Sequence, residues 1–212
     1  MTRSTQRFDA VIAEIDAANA ADPRTVAIGG TTRPYEFAYA ERMSEQLLRI
    51  YPEASELLRI AARAQHIRRW DIPRSSFPEG RQGYMDWRRA CREHHAQLVT
   101  EIMLRHDYGE EQTSRVAMLI KKEKLKKDKE SQALENVVAV VFLDHYFEEF
   151  LASHRDYNDE KLVDIIAKTL RKMSSRGHAA ALALALPERT RKLVEAAVAR
   201  EAATLAKAGA DC

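Results

Sequence analysis

Leu134-Glu135-Asn136-Val137-Val138-Ala139-Val140-Val141-Phe142-Leu143-Asp144 decides the fold class. From Val137 to Leu143 every side chain is apolar, which suits a buried strand as well as a buried helix. The flanks separate the two. Leu134-Glu135-Asn136 on one side, and Asp144 to Leu151 on the other, continue at helical spacing. The run therefore reads as the centre of a buried helix spanning about Ser131 to Ser153.

The rest of the chain reads the same way. Seven glycines and six prolines in 212 residues leave few breaks, and the commonest residues are good helix formers. Phe8, Val11, Ile12 and Ile15 mark a first helix that ends near Asp22-Pro23. Residues 23–35, with Pro23, Gly29-Gly30 and Pro34, read as a loop. A second helix follows from about Glu36 to Tyr51, with Phe37, Ala40, Met43, Leu47 and Ile50 on one face. A third is predicted over Ala54 to Trp70, a loop over 71–83, a fourth helix over Tyr84 to Asp107 and a fifth over Glu110 to Lys124. After the helix over 131–153 comes one from Asp159 to Met173, then one or two over 175–207 broken near Pro187. The expected architecture is all-α: a single multi-helix domain over 1–212, with its core in 36–173 and alanine-rich helices in 174–212.

Composition narrows the function classes. Cys91 and Cys212 make no disulfide framework and no zinc spacing, which suits a reducing cytoplasm. The N-terminal stretch shows no signal peptide, and no apolar run approaches the ~20 residues that cross a bilayer. A net charge of +2 argues against a large nucleic-acid footprint, although a local basic patch is compatible with it. HExxH, P-loop, GxSxG and paired ExxH signatures do not occur.

Two groups of residues carry chemistry. His66 follows Leu58 and Ala62 at intervals of four and points inward; His95 lies on the stripe of Cys91, Leu98 and Ile102, with His94 as its competitor one residue of rotation away. Each is compatible with an ordinary hydrogen-bonded core histidine. Together, on neighbouring helices, they read as ligands of a divalent metal ion, with Asp144 as the carboxylate, beside His145 and Glu148. Arg68, Arg69, Trp70, Arg74, Arg81, Tyr84 and Trp87 form the second group. Guanidinium forks match phosphate, and an aromatic face such as Trp70 or Tyr84 can stack a base. The competing reading is an ion-pair network with Asp71, Glu79 and Asp86. The lysine run from Lys121 to Lys129 reads as a solvated helix end, with RNA contact a weaker alternative.

Gln65-His66-Ile67-Arg68-Arg69-Trp70, Ile72-Pro73-Arg74, Gly83-Tyr84, Trp87-Arg88, His95-Ala96 and Leu134-Glu135-Asn136 resemble the hallmarks of an uncharacterised family labelled a domain of unknown function, over roughly 35–185. More remotely, the order of His66, His95 and Asp144 resembles the HD-domain metal phosphohydrolases, with Asn136 as another register for the last ligand. That resemblance implies an HD-like helical core, a divalent metal and phosphoester hydrolysis. Ala96 stands where the HD pair has its aspartate, so either another acid, such as Glu101 or Glu148, substitutes or the site is degenerate. The expected function is a metal-dependent phosphohydrolase acting on a nucleotide or other small phosphorylated ligand. Its rivals are a metal-free binding module for a nucleotide, RNA or protein partner, and an oligomeric scaffold built on the alanine-rich tail.

Overall fold

The computed structural model describes residues 3–210 apart from Lys126, and side chains from Thr5 to Ala202; Cys212 lies outside the described residues. The all-α expectation holds. The helices are α1 (Arg3–Ala20), α2 (Tyr35–Ile50), α3 (Glu56–Arg63), α4 (Gly80–Arg105), α5 (Glu110–Lys121), α6 (Lys129–Val141), α7 (Phe147–Ser153), α8 (Asp159–Leu170), α9 (Ser175–Leu182) and α10 (Glu188–Ala210). Among the described residues no helix is long and apolar enough to cross a membrane. The chain divides into two compact units, Met1–Lys124 and Leu125–Cys212.

In the first unit α4 packs on α5, α3 on α5 and α2, and α1 on α2, α3 and α4. Val11, Ile15, Met43, Leu47, Ile60, Val99, Met103, Val116, Leu119 and Ile120 are fully enclosed or nearly so and form its core. Ser55 starts α3 by accepting the Leu58 N–H, the usual N-cap bond.

Three expectations are corrected here. Residues 23–35 are not a plain loop: strand β1 (Thr25–Ile28) pairs antiparallel with β2 (Thr31–Pro34). The turn between them is Gly29-Gly30, with φ of 55° and 81°, the two left-handed positions that a tight hairpin turn requires. The third helix stops at Arg63 instead of reaching Trp70. Beyond it the backbone turns on Ile67 N to Ala64 O and Arg69 N to His66 O, at 3.0 and 3.1 Å, and Arg68 takes a left-handed φ of 48°. The Arg68 amide donates to the buried side chain of Asn19 at 3.1 Å. A tertiary acceptor thus captures an N–H that a longer helix would use internally. Helix α4, by contrast, begins earlier than its apolar pattern indicates, at Gly80.

In the second unit α10 packs on α8 and α9, and α6 on α9. The apolar run is helical, as its flanks indicate, but the path through 131–153 is not uniform: Phe142–Tyr146 is a wider π-turn between α6 and α7. Asp128 caps α6 at Ser131 N, and Asn158 caps α8 at Lys161 N. Asn136 is wholly buried and structural: it accepts the Ser174 N–H at 3.0 Å and donates to Ser174 Oγ at 2.8 Å, tying α9 to α6.

Candidate functional site

The first unit gathers a polar side-chain cluster, hereafter the pocket, around His66 and His95. His95 comes from the middle of α4 and is 1% exposed. Its Nδ1 lies 2.8 Å from the Ile67 carbonyl oxygen, which can only accept, so Nδ1 carries the proton and Nε2 presents a bare lone pair. That Nε2 is buried and has no hydrogen-bond partner among the described residues. His66 comes from the turn after α3, its ring centroid 5.9 Å from that of His95. It is stacked on Tyr39 of α2, 4.0 Å between centroids and 11° from parallel. Its side chain remains 21% exposed, so the pocket opens to solvent on this side. His94, the competitor, points away and meets Asp71 at 3.3 Å.

The carboxylate of this pocket is Glu36, in the first turn of α2 and 1% exposed. Asp22 accepts the Glu36 backbone N–H at 3.0 Å, and Arg24 Nη2 bridges Asp22 Oδ2 and Glu36 Oε1, both at 2.8 Å. Glu36 Oε2 has no hydrogen-bond partner and lies 3.4 Å from His66 Nδ1. On its other edge, His66 Nε2 accepts from Arg69 Nη1 at 2.6 Å. The Arg69 guanidinium also covers Trp87, 4.8 Å from the ring centroid. Trp87 is anchored by its indole N–H to Ile72 O at 2.9 Å. Among the described residues no carboxylate lies within ion-pairing distance of Arg69 or Arg88.

The remaining predicted residues separate. Arg68 pairs with Asp71 at 2.8 Å and lies over Trp70 at 5.8 Å. Arg74 donates to Phe77 O and Pro78 O, both at 2.9 Å, and so holds its own loop. Arg81 lines a shallow basin with Met85, Arg89 and Arg92 on the outer face of α4. Tyr84 is 43% exposed, with the Arg88 guanidinium 5.8 Å from its ring. Asp144 belongs to the π-turn of the second unit, 3.4 Å from His145, and Glu148 there accepts from Thr190. Glu101 is exposed and bonded to Gln97.

Sequence reasoning missed Glu36, Asp22, Arg24 and Tyr39, and it placed Arg88 in the stretch that reads as a site without assigning it a role. A signal existed for Glu36. It stands four residues before Ala40 and seven before Met43, so it occupies the apolar stripe of α2 where a carboxylate has no packing reason to be.

Electrostatics follow from this burial. Burial, and next the charge of Arg69, hold the His66 imidazole well below its ordinary pKa. Burial, then His66 and Arg69, do the same to His95. Burial pushes the Glu36 carboxyl up against the opposing pull of Arg24. For Asp22 burial also raises, but the hydrogen bonds from Arg24 and Glu36 N–H outweigh it, and the net shift is down.

These shifts set the sign of a pH dependence. Below about pH 6.5 the unfolded histidines take up protons that the folded ones refuse, so stability present above that pH is lost as it falls. Each histidine contributes a slope of up to about 1.4 kcal/mol per pH unit. Glu36 acts oppositely, since the folded form keeps a proton that the unfolded chain releases above about pH 4.5. The two histidines outweigh Glu36 as the pH falls, so unfolding is expected to take up a net fraction of a proton at about pH 6.5, growing to more than one and fewer than two at about pH 5. Urea titrations of chelator-treated protein across that window measure it; stability that is flat or increases toward acid contradicts the assignment.

The fit to a metal ion has two sides. Two buried acceptors, His95 Nε2 and Glu36 Oε2, lack donors. Leaving such groups unsatisfied costs about 1–3 kcal/mol each, a penalty that a bound cation removes. Against this, Arg69 covers His66 Nε2, and among the described residues no three His, Cys, Asp or Glu side chains stand as a ready ligand set.

Comparison with known proteins adds one result. A family model described as a domain of unknown function, DUF4202, matches residues 9–194. The chain belongs to that family. No curated protein matches it, and no solved structure does. All the pocket residues named above, from Asp22 to His95, fall within the matched DUF4202 region.

Proposed function

We propose that the first unit binds a small phosphorylated ligand, with its phosphate on Arg69 and Arg88, next to a divalent cation on His66, His95 and Glu36, and that it hydrolyses a phosphoester. The observation that carries this reading is the His95 ring: oriented by Ile67 O, with its opposite lone pair buried and unpartnered. A main-chain acceptor on one imidazole nitrogen fixes the tautomer and leaves the other nitrogen free to ligate a metal. The remote resemblance to HD-domain phosphohydrolases agrees in kind. Glu36 supplies the anionic charge that Ala96 withholds, in place of Glu101 or Glu148.

The residues divide the work. Arg69 leaves His66 for the incoming phosphate and so uncovers Nε2, while Trp87 keeps the guanidinium plane at the pocket mouth. Arg24, bonded to Glu36 Oε1, and Asp22, bonded to the Glu36 N–H, hold this carboxylate and leave Oε2 for the cation. A cation bound there would lower the pKa of its water and supply the attacking hydroxide.

Metal analysis of protein purified without chelator tests this. The expected content is about one ion per chain, reduced tenfold or more by His95→Gln. Metal below about a tenth of an equivalent, unchanged by that substitution, removes the cation. The arginine cover on His66 favours a second reading, metal-free binding of the same phosphorylated ligand. Thermal stabilisation by pyrophosphate that persists in EDTA supports the second reading, and stabilisation abolished by EDTA supports the first.

A further inference from the structure

We infer that the ligand is a nucleoside phosphate, lying along α4 with its base on Tyr84 and its phosphate at Arg88 and Arg69; this rests on the phosphate reading above and deepens it.

Tyr84, Trp87, Arg88, Cys91 and His95 recur at spacings of three and four and so share one face of α4. That face runs from an exposed end at Tyr84 to a buried end at His95. The rings and guanidinium groups along it form a ladder. Arg69 lies over Trp87 at 4.8 Å, Trp87 meets Tyr84 at 5.8 Å, and Arg88 lies 5.8 Å from the Tyr84 ring. Trp87 is committed, since its indole N–H is bonded to Ile72 O and one face carries Arg69. Tyr84 is not. Nearly half of it is exposed, at 43%, and among the described residues its hydroxyl makes no hydrogen bond. An exposed tyrosine alone is ordinary surface. A tyrosine four residues, about 6 Å of rise, from an arginine with no carboxylate partner among the described residues is a place for a ligand with a flat ring at one end and an anion at the other.

The chemistry selects among phosphorylated molecules. Sugar phosphates and inorganic phosphate have no π-face, so they engage the guanidinium groups and leave Tyr84 idle. A nucleobase gains a stacking surface flanked by a cation, which suits its electron-rich face. The direction follows from the depth of the two ends: the base stays outside and the phosphate enters toward His66.

Calorimetric titration with AMP, GMP, CMP, UMP, ribose 5-phosphate and inorganic phosphate tests this on the wild type, Tyr84→Ala, Tyr84→Phe and Arg88→Ala. The expected result is that at least one nucleotide binds roughly tenfold more tightly than ribose 5-phosphate. Tyr84→Ala should remove that advantage, Tyr84→Phe should retain it, and Arg88→Ala should weaken nucleotide and sugar phosphate alike. Equal binding of nucleotides and ribose 5-phosphate in the wild type overturns the nucleoside assignment and leaves the phosphate reading standing. So does an equal loss of both ligands in Tyr84→Ala. No binding by any of the six overturns both.

Discussion

Arg24→Ala is expected to destabilise the first unit by about 3 kcal/mol and to disconnect Glu36 from its support. Asp22 and Glu36 are two carboxylates whose side chains are 0% and 1% exposed. Arg24 lies 2.8 Å from each, and its removal leaves both anions enclosed beside one another. Breaking a buried pair from one side costs about 3–5 kcal/mol because the surviving charge stays desolvated. The lower end applies here, since Arg24 itself is 47% exposed and water can enter where it stood. Urea denaturation measures the loss, and a double-mutant cycle identifies its origin. In a Glu36→Gln background, where one of the two anions is already gone, the same substitution should cost clearly less. A loss below about 1 kcal/mol, or an identical loss in both backgrounds, would show that the bridge does not hold these groups.

Gly83→Ala should be comparably damaging by a different route. A Cβ at Gly83 would lie 1.9 Å from the Pro78 carbonyl oxygen and 2.7 Å from its carbon, both backbone atoms. That backbone has little freedom to retreat, because Arg74 is hydrogen-bonded to Phe77 O and Pro78 O, and Trp87 holds Ile72 O. The methyl must therefore push the 72–79 segment off α4. Overpacking of this kind costs about 3 kcal/mol, which is a fall of roughly 10 °C in Tm for a unit of this size. The displacement also reaches the pocket, since Trp87 carries Arg69. A change in tryptophan emission together with weakened phosphate binding is expected. A Tm within about 2 °C of wild type with unchanged emission would mean that the loop yields freely.

The legible part of the site was its histidines. Spacing alone put His66 and His95 inward and set them on neighbouring elements, and their rings do meet in the first unit. Spacing did not separate His95 from His94, because two adjacent residues can both border a broad apolar stripe. The Ile67 carbonyl and Asp71 separate them. The arginine cluster was legible as a cluster and not as a site. Of Arg68, Arg69, Arg74 and Arg81, one faces the pocket, one pairs locally with Asp71, one holds its own loop and one lines the outer face of α4. A guanidinium reaches several partners within its length, so sequence position says little about where it ends.

By itself the sequence determined that the chain is helical, where most helices run and which faces are apolar, because helix periodicity and cap chemistry are local properties of a few consecutive residues. It held no information on the capture of the Arg68 amide by Asn19 in the turn that follows α3. Nor did it show the approach of Glu36 and Arg24 to His66 from chain positions thirty and more residues away. Those contacts were decided only by the tertiary structure, because they depend on burial. A carboxylate, an imidazole and a guanidinium acquire their shifted proton affinities and fixed partners only once packing has excluded the water that would otherwise serve each of them separately.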